Sequence, residues 1–497
     1  MKKLLPLLLL VFISLMSCDK DNGDDPKVTE KEIHELLVEG FEQKNIPEYE
    51  VISDEILSPE EMADFLFYTD EADMAEIETE GANVREEIAA RKREFLEACE
   101  KDKYYQLDDE EDPDNAFTLI FHKQKFEYET IDQFNNQITL SAFLAYGEYW
   151  RPFKYIPLDQ DHIFLVCPYT HTLEDECATE SKGGREFQTM VHDNLFIMPD
   201  GQGFGSNKDH VQTYLNHNLH ARQYYDALVA GENIYRSKGG TYEDDYTLRV
   251  LGASQGAGDA IAVHKYLDTQ TFTLDLSPYY DIPLTRGIAY AICDKYGVPR
   301  GTKYIEIPLR DRFKFEFSYV CCGPYSPEST MRTYSEWGKM SYPCVIPLVI
   351  KSMLACCPEL AKYKETDFFS AKWIANKSDF DKIYLKKTMQ SGDLNKYIRK
   401  KLGVSSDNVP LKEILSTQMC DSTSQIYKDL MSCLREQELT SGWEPATRTR
   451  VLFSKKDEVV PYVNSEKLFK MNWPRLSNED TGFQHVLSCA EFLTSKW

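Results

Sequence analysis

Five consecutive residues carry the densest chemical information in this chain: Gly252-Ala253-Ser254-Gln255-Gly256. The apolar run Thr247 to Leu251 before them reads as a buried strand, and Ala257 to Leu267 after them reads as a helix. A serine at a strand-to-helix junction with glycine on both sides predicts a sharp turn that strains the serine backbone and exposes its hydroxyl. The glycines are needed where strand and helix nearly touch. The N–H of Gln255 would then point to where an oxyanion forms during attack on a carbonyl. An ordinary Gly-rich strand–helix turn has the same local composition, so other groups must decide between the two.

A serine hydroxyl is a poor nucleophile at neutral pH; it needs a base to take its proton and a third group to orient that base. On strand–turn–helix scaffolds of this kind the partners follow in the order serine, acid, histidine. Of the ten histidines, only His485 lies beyond the late strand Arg450 to Phe453. His264 sits in the helix after the serine and faces away from it, and the others come earlier in the chain. The acid is expected in the loop Ser454 to Tyr462, where Asp457 is the candidate and Glu458 its nearest competitor. Asp480 is too close to His485 along the chain to come from that loop.

The elements that must position these groups can be read from the pattern. Phe117 to Thr130, Gln137 to Tyr149, His162 to Cys167 and Leu195 to Asp200 read as strands, the first two joined by a turn at Asn135-Asn136. A glycine-rich loop, Gly201 to Ser206, marks backbone passing close to something. After a helix around Leu219 to Val229 comes the strand that leads to Ser254, and then another, Phe317 to Pro324. Strands alternating with helices imply a mostly parallel sheet covered on both faces. Residues 326–445 hold no clear strand but much helical pattern and many aromatics. An insertion there must lie over the strand ends that carry Ser254, and is expected to be a lid and substrate-binding subdomain.

The N-terminal part has a different character. Lys2 and Lys3 precede an apolar run, Leu4 to Met16, which ends in Leu15-Met16-Ser17-Cys18. This resembles a bacterial lipoprotein signal, with Cys18 the lipidated first residue of the mature chain; a plain secretory signal is the alternative. The run is too short to span a bilayer as a helix. Of the net charge of −26, residues 19–115 contribute 34 acidic against 10 basic groups, while residues 116–497 are nearly balanced, 48 against 44. Such acidity disfavours nucleic acid or anionic headgroups as partners, leaving the lipid on Cys18 as the only expected membrane contact. Asp19 to Asp25 resembles the acidic tether that directs some Gram-negative lipoproteins to the outer surface, an outer-membrane and surface-exposed location; a periplasm-facing one is the alternative. The expected organisation is therefore signal 1–17, acidic tether 18–57, helical appendage 58–115, core 116–325, lid 326–445 and core again 446–497. Ser58-Pro59-Glu60-Glu61 carries the signature of a capped helix start within that appendage. The 13 cysteines make no tandem C-x-x-C pattern, so neither a metal nor another cofactor is indicated.

Ser254, Asp457-Glu458-Val459-Val460-Pro461 and His485, with Pro199-Asp200 before the glycine-rich loop, resemble the α/β-hydrolase superfamily, and within it secretory-lipase and bacterial esterase-like proteins. The resemblance covers residues 116–497 apart from the insertion. It implies an α/β-hydrolase fold with a helical lid and an acyl-enzyme mechanism without cofactor. Ser254 would attack, His485 would carry the proton and Asp457 would steady the imidazolium, on a small-molecule, lipid or glycan ester. One departure stands out. Where such families carry His-Gly-Thr or His-Gly-Gly after the third strand, this chain has Tyr169-Thr170-His171-Thr172, with no glycine. Gln255 is therefore the firmer oxyanion donor and Thr170 and His171 the weaker ones. The rival reading is a surface lipoprotein that keeps the fold for binding and has lost turnover.

Overall fold

The computed structural model describes residues 28–42, 45–69, 74, 84–105, 118–151 and 154–494. Cys18 and the signal segment lie outside the described residues. Strands in chain order are β1 (Tyr49–Leu57), β2 (Thr118–Ile131), β3 (Gln137–Arg151), β4 (Lys154–Pro157), β5 (Gln160–Cys167), β6 (Asn194–Pro199), β7 (Tyr242–Ala253), β8 (Thr271–Asp275) and β9 (Tyr304–Pro308). They continue with β10 (Phe315–Cys321), β11 (Lys339–Met340), β12 (Val409–Pro410), β13 (Arg448–Phe453) and β14 (Leu476–Asp480). The helices used below are α1 (Glu30–Glu42), α2 (Pro59–Leu66), α3 (Val84–Tyr105), α4 (His217–Ser237), α5 (Gln255–Thr269), α6 (Pro327–Trp337), α7 (Val345–Cys356), α8 (Gln425–Glu436) and α9 (His485–Thr494).

The main sheet has the order β1-β2-β3-β6-β5-β7-β10-β13-β14, with β4 beside β3. From β6 through β14 all neighbours run parallel, while β1, β2, β3 and β4 form an antiparallel flank. The expected mostly parallel sheet with helices around it is what the chain forms. Fully buried β6 (Asn194–Pro199) is apolar from Leu195 onward, as a strand covered on both faces must be. The β2–β3 turn is where the sequence placed it. Asn135 is in the left-handed region, φ 62°, and the Asp132 carboxylate accepts from the backbone of Phe134 and Asn136.

Several boundaries differ from expectation. Tyr49–Leu57, assigned to the tether, is instead an edge strand pairing antiparallel with β2, Tyr49 opposite Tyr128 and Leu57 opposite Phe121. The described helices within residues 58–115 do not stand apart as an appendage. The capping box at Ser58 and Glu61 does start α2, but Met62, Phe65 and Leu66 of α2 and Ile88 and Phe95 of α3 share one apolar cluster with Phe121, Phe143, Phe196 and Leu251 of the sheet. The apolar stripes of the two helices are legible in the sequence, but that they pack on the sheet is not. Residues 270–312 leave the core as drawn from sequence. With α1 they make a compact unit of their own, built on the antiparallel β8–β9 pair, in which Phe41 meets Phe272 edge-on at 5.2 Å. The insertion between β10 and β13 is helical and has its own core, centred on Trp373, Phe380, Ile398 and Leu430. The sequence left open whether Cys167–Cys177 or Cys420–Cys433 are disulfides; all four are free thiols.

Candidate active site

The turn at Ser254 owes its shape to two glycines. Ser254 has φ 53°, a left-handed conformation that costs a non-glycine residue on the order of 1–3 kcal/mol. A Cβ on Gly252 would lie 2.1 Å from the Gly256 carbonyl oxygen, and one on Gly256 would lie 2.1 Å from the Cys167 carbonyl oxygen. Neither contact can exist, so β7, β5 and α5 approach this closely only because both positions lack side chains. The strained backbone is held by the Ser254 N–H, which donates to the Cys321 carbonyl at 2.9 Å on neighbouring β10. α5 begins at Gln255, directly after the serine, so its N-terminal end lies beside Ser254, whose carbonyl accepts from the Ala257 N–H at 3.0 Å.

His485 opens α9, immediately after β14. Its Nε2 lies 2.9 Å from Ser254 Oγ, and its Nδ1 lies 2.7 Å from Asp457 Oδ2. Asp457 stands in the loop after β13. Its other oxygen accepts from the backbone N–H of Val459 at 2.9 Å and Val460 at 2.6 Å, which explains the Asp-Glu-Val-Val sequence as a carboxylate-wrapped turn. The two loops are tied together as well, since Thr481 N–H donates to the Phe453 carbonyl at 2.9 Å. Glu458 is turned elsewhere; its carboxylate accepts from the His485 backbone N–H at 3.2 Å. Asp480 caps its own turn at Gly482. His264 bonds Ser318 and Asp268 in the core, far from this chemistry in the hydrogen-bond network.

The electrostatics follow from burial and these partners. Burial presses the His485 imidazole toward its neutral form, but the adjacent Asp457 carboxylate and Cys489 outweigh it and hold the pKa well above the usual histidine value. Cys489 lies one helical turn after His485, its Sγ 3.9 Å from Nε2. A hydrogen bond from Cys321 and the neighbouring imidazole overcome burial and bring its thiol down to about 6.

The stretch after β5 that departs from the glycine pattern is held by buried carboxylates. Glu186 accepts from the Tyr169 N–H at 2.9 Å, and Glu176 accepts from the N–H groups of Thr172 and Leu173, both at 3.1 Å. Thr170 borders the cavity, its hydroxyl 3.1 Å from that of Tyr214. His171 does not border it; the ring packs against Tyr169 and Phe204. The structure thus gathers Ser254, Gln255, Thr170 and His485 around one space, with Asp457 behind His485, and leaves the His171 side chain out of it. The glycine-rich loop Gly201 to Ser206 passes over buried Asp200, which a Cβ on Gly205 would approach within 2.1 Å.

Sequence reasoning missed three supports. Buried Asp259 on α5 accepts from both His217 and His220, each at 2.9 Å; burial opposes its ionisation, yet the two imidazoles hold its pKa down at about 2. The Tyr214 hydroxyl braces Thr170 from a loop the sequence left unassigned. Cys489 alone had a readable signal, because residues four apart share a helix face with His485.

The cavity over Ser254 has a volume of about 240 Å³. Met74, Val84 and Ile88 line it from the N-terminal part, Val345, Ile346, Val349 and Leu434 from the insertion, and Leu215, Val459 and Val460 from the core. Most of its wall is apolar, with Glu176, Arg185, Gln188, Ser391, Asp393 and Lys396 among its polar residues.

A serine at a sharp turn after a central parallel strand, with an aspartate and a histidine brought to it from the segments after two later parallel strands, is the arrangement of an α/β-hydrolase fold, and that is the fold of this chain. A ligand-bound form of the rice cell wall degrading esterase LipA from Xanthomonas oryzae superposes with a TM-score of 0.57 at 13% identity, covering 89% of this chain and 96% of that one. Another crystal structure of the same esterase gives 0.54 at 16% identity, over 76% and 88%. A putative hydrolase from Legionella pneumophila gives 0.53 at 12% identity, over 90% and 94%. No family model and no curated protein matches the sequence.

Proposed function

We propose that this protein is a serine hydrolase that cleaves carboxylic esters. The observation that carries the reading is the continuous relay from Ser254 Oγ through His485 to Asp457, at 2.9 and 2.7 Å, opening on a largely apolar cavity. Ser254 Oγ attacks the ester carbonyl while Nε2 of His485 takes its proton. Asp457 holds the ring in the tautomer that leaves Nε2 free to accept and then stabilises the imidazolium. The oxyanion is met by the Gln255 N–H, with the backbone at Thr170 as the second donor. His485 returns the proton to the leaving alcohol, and water releases the acid by the same steps in reverse. A cavity at the small end of ligand-binding volumes, walled by Val, Ile, Leu and Met, suits a short to medium acyl group. The solved esterase from Xanthomonas oryzae, similar in fold, supports the same class of chemistry.

The test is hydrolysis of p-nitrophenyl esters of increasing acyl length by the purified chain and by Ser254→Ala. Turnover of short and medium esters that vanishes in the variant supports the reading. Absence of turnover on every chain length favours a fold retained for binding. The anchor belongs to the same proposal: Cys18 carries lipid, and Cys18→Ala moves the protein from the membrane to the soluble fraction. Unchanged partition would remove the anchor.

A further inference from the structure

Two hydroxyls meet at the cavity wall with a single hydrogen bond between them. Thr170 Oγ1 lies 3.1 Å from the Tyr214 hydroxyl, both residues border the cavity over Ser254, and among the described residues neither hydroxyl has another partner. Two hydroxyls carry two protons, so one proton lies between the oxygens and the second is left without an acceptor. The course of the chain brings this spare donor toward the serine. A Cβ on Gly256 would lie 2.1 Å from the Cys167 carbonyl oxygen and 2.9 Å from that of Pro168, so the loop leaves β5 packed on the first turn of α5. Thr170 follows two residues after Pro168, within about 7 Å of chain. We propose that the Thr170 hydroxyl is a further oxyanion donor, beside the backbone N–H groups, and that Tyr214 aims it.

Which hydroxyl donates to which follows from their acidity. The phenol is the stronger acid, so Tyr214 donates to Thr170 Oγ1 and the threonine proton turns to the cavity. Burial pushes the phenol's pKa well up, against the opposing effect of the bond to Thr170, so Tyr214 keeps the proton it must donate. A hydrogen bond received strengthens the one given, which makes the paired hydroxyl a better donor than a lone one. Tyr214 is also firmly held. Leu215 beside it has φ 58°, a strained conformation for leucine, and the Asn216 N–H closes the turn on the Thr213 carbonyl at 3.0 Å. Thr213 Oγ1 lies 3.0 Å from His220 Nε2, and His220 Nδ1 lies 2.9 Å from Asp259 Oδ1. The other oxygen of Asp259 accepts from the Gln255 side chain at 3.4 Å. The turn carrying Tyr214 and the residue carrying the first oxyanion donor are thus built on one buried carboxylate. The N–H groups of Tyr169, Thr172 and Leu173 are taken by Glu186 and Glu176, so a loop without glycine finds its additional donor in a side chain.

The experiment measures kcat and KM on p-nitrophenyl esters for the full chain, Thr170→Val, Thr170→Ser, Tyr214→Phe and the double variant Thr170→Val with Tyr214→Phe. Thermal midpoints show which variants fold. Thr170→Val keeps the backbone N–H and should lose about 10²-fold in kcat with KM little changed. Thr170→Ser restores the hydroxyl and should recover most of that loss. Tyr214→Phe should lose about tenfold in kcat, and the double variant should be no slower than Thr170→Val, because the two hydroxyls act as one donor. Affinity for a trifluoromethyl ketone, whose adduct with Ser254 carries the oxyanion, should weaken in the same proportion as kcat/KM. A near-native kcat in Thr170→Val, a loss confined to KM, or losses that multiply in the double variant would overturn the proposal. A Thr170→Val chain that does not fold leaves the decision to Tyr214→Phe, where native kcat and native ketone affinity overturn it. The role rests on the hydrolase reading: a native chain without ester turnover ends both, whereas native turnover that survives in Thr170→Val ends this role alone.

Discussion

Replacing Asp457 by asparagine tests the relay most sharply, because the geometry dictates how the amide must sit. In the native chain Oδ1 accepts two backbone N–H groups, from Val459 and Val460, and Oδ2 accepts one ring N–H, from His485. An amide nitrogen placed at Oδ1 would lose two hydrogen bonds, each worth about 1 kcal/mol, and leave two buried donors facing a third. Placed at Oδ2 it loses only one, so it faces His485. A donor there forces Nδ1 to become the acceptor, and the ring proton moves to Nε2, pointed at Ser254. The serine then has nowhere to deliver its proton. Turnover should fall by roughly 10³–10⁴-fold, or about 4–5.5 kcal/mol of transition-state stabilisation. Glu458→Gln keeps its acceptor for the His485 backbone N–H and should cost less than about tenfold. The residual activity has a second signature. The Asp457 carboxylate helps hold the imidazole's pKa up against burial, so without it burial prevails and the acidic limb of the kcat/KM profile moves to lower pH. A loss under tenfold in Asp457→Asn, a larger loss in Glu458→Gln, or a limb that stays in place would refute this assignment.

Other regions give independent predictions. Gly256→Ala puts a methyl 2.1 Å from the Cys167 carbonyl and should destabilise by about 3 kcal/mol or more, read as a lowered urea midpoint or loss of soluble protein; a stable, active variant would contradict the turn geometry. His122 bridges Asp54 at 2.8 Å and Glu148 at 2.6 Å, pinning edge strand β1 to the sheet. Burial opposes its charge, but the two carboxylates raise its pKa to about 9. Since that is above the unfolded value, the clasp is fully present below about pH 6.5 and is lost as pH rises through 9. His122→Gln should therefore cost about 1–2 kcal/mol at pH 6, discounted for the partly exposed Asp54, and the gap to the native chain should close by pH 10. A gap independent of pH would show that packing, not charge, holds β1.

Why some of this was legible and some not follows from the range of the interactions involved. The turn at Ser254 could be read because its requirements are local: two missing side chains and one strained residue within five positions. Asp457 and His485 could be read because chain order on such a sheet limits the candidates. β1 could not, since Ser53, Asp54 and Glu55 look like a solvated tether until Lys123, Gln124 and Lys125 stand opposite them. β14, Leu476–Asp480, is a polar edge strand with one partner and so lacks the apolar signal of a buried one. The unit built from α1 and residues 270–312 joins segments more than 200 positions apart, which no local pattern announces. His171 lies in the stretch where such families carry a glycine, and its ring goes into the packing with Tyr169 and Phe204 instead.

The central claim is that Ser254 is the activated nucleophile. Peptide mapping of the chain after reaction with a fluorophosphonate measures this directly. One adduct per chain on the peptide carrying Ser254, absent from Ser254→Ala and strongly slowed in His485→Ala, is the predicted result. An unlabelled native chain under conditions that label a control esterase, or an adduct on any other residue, would contradict it.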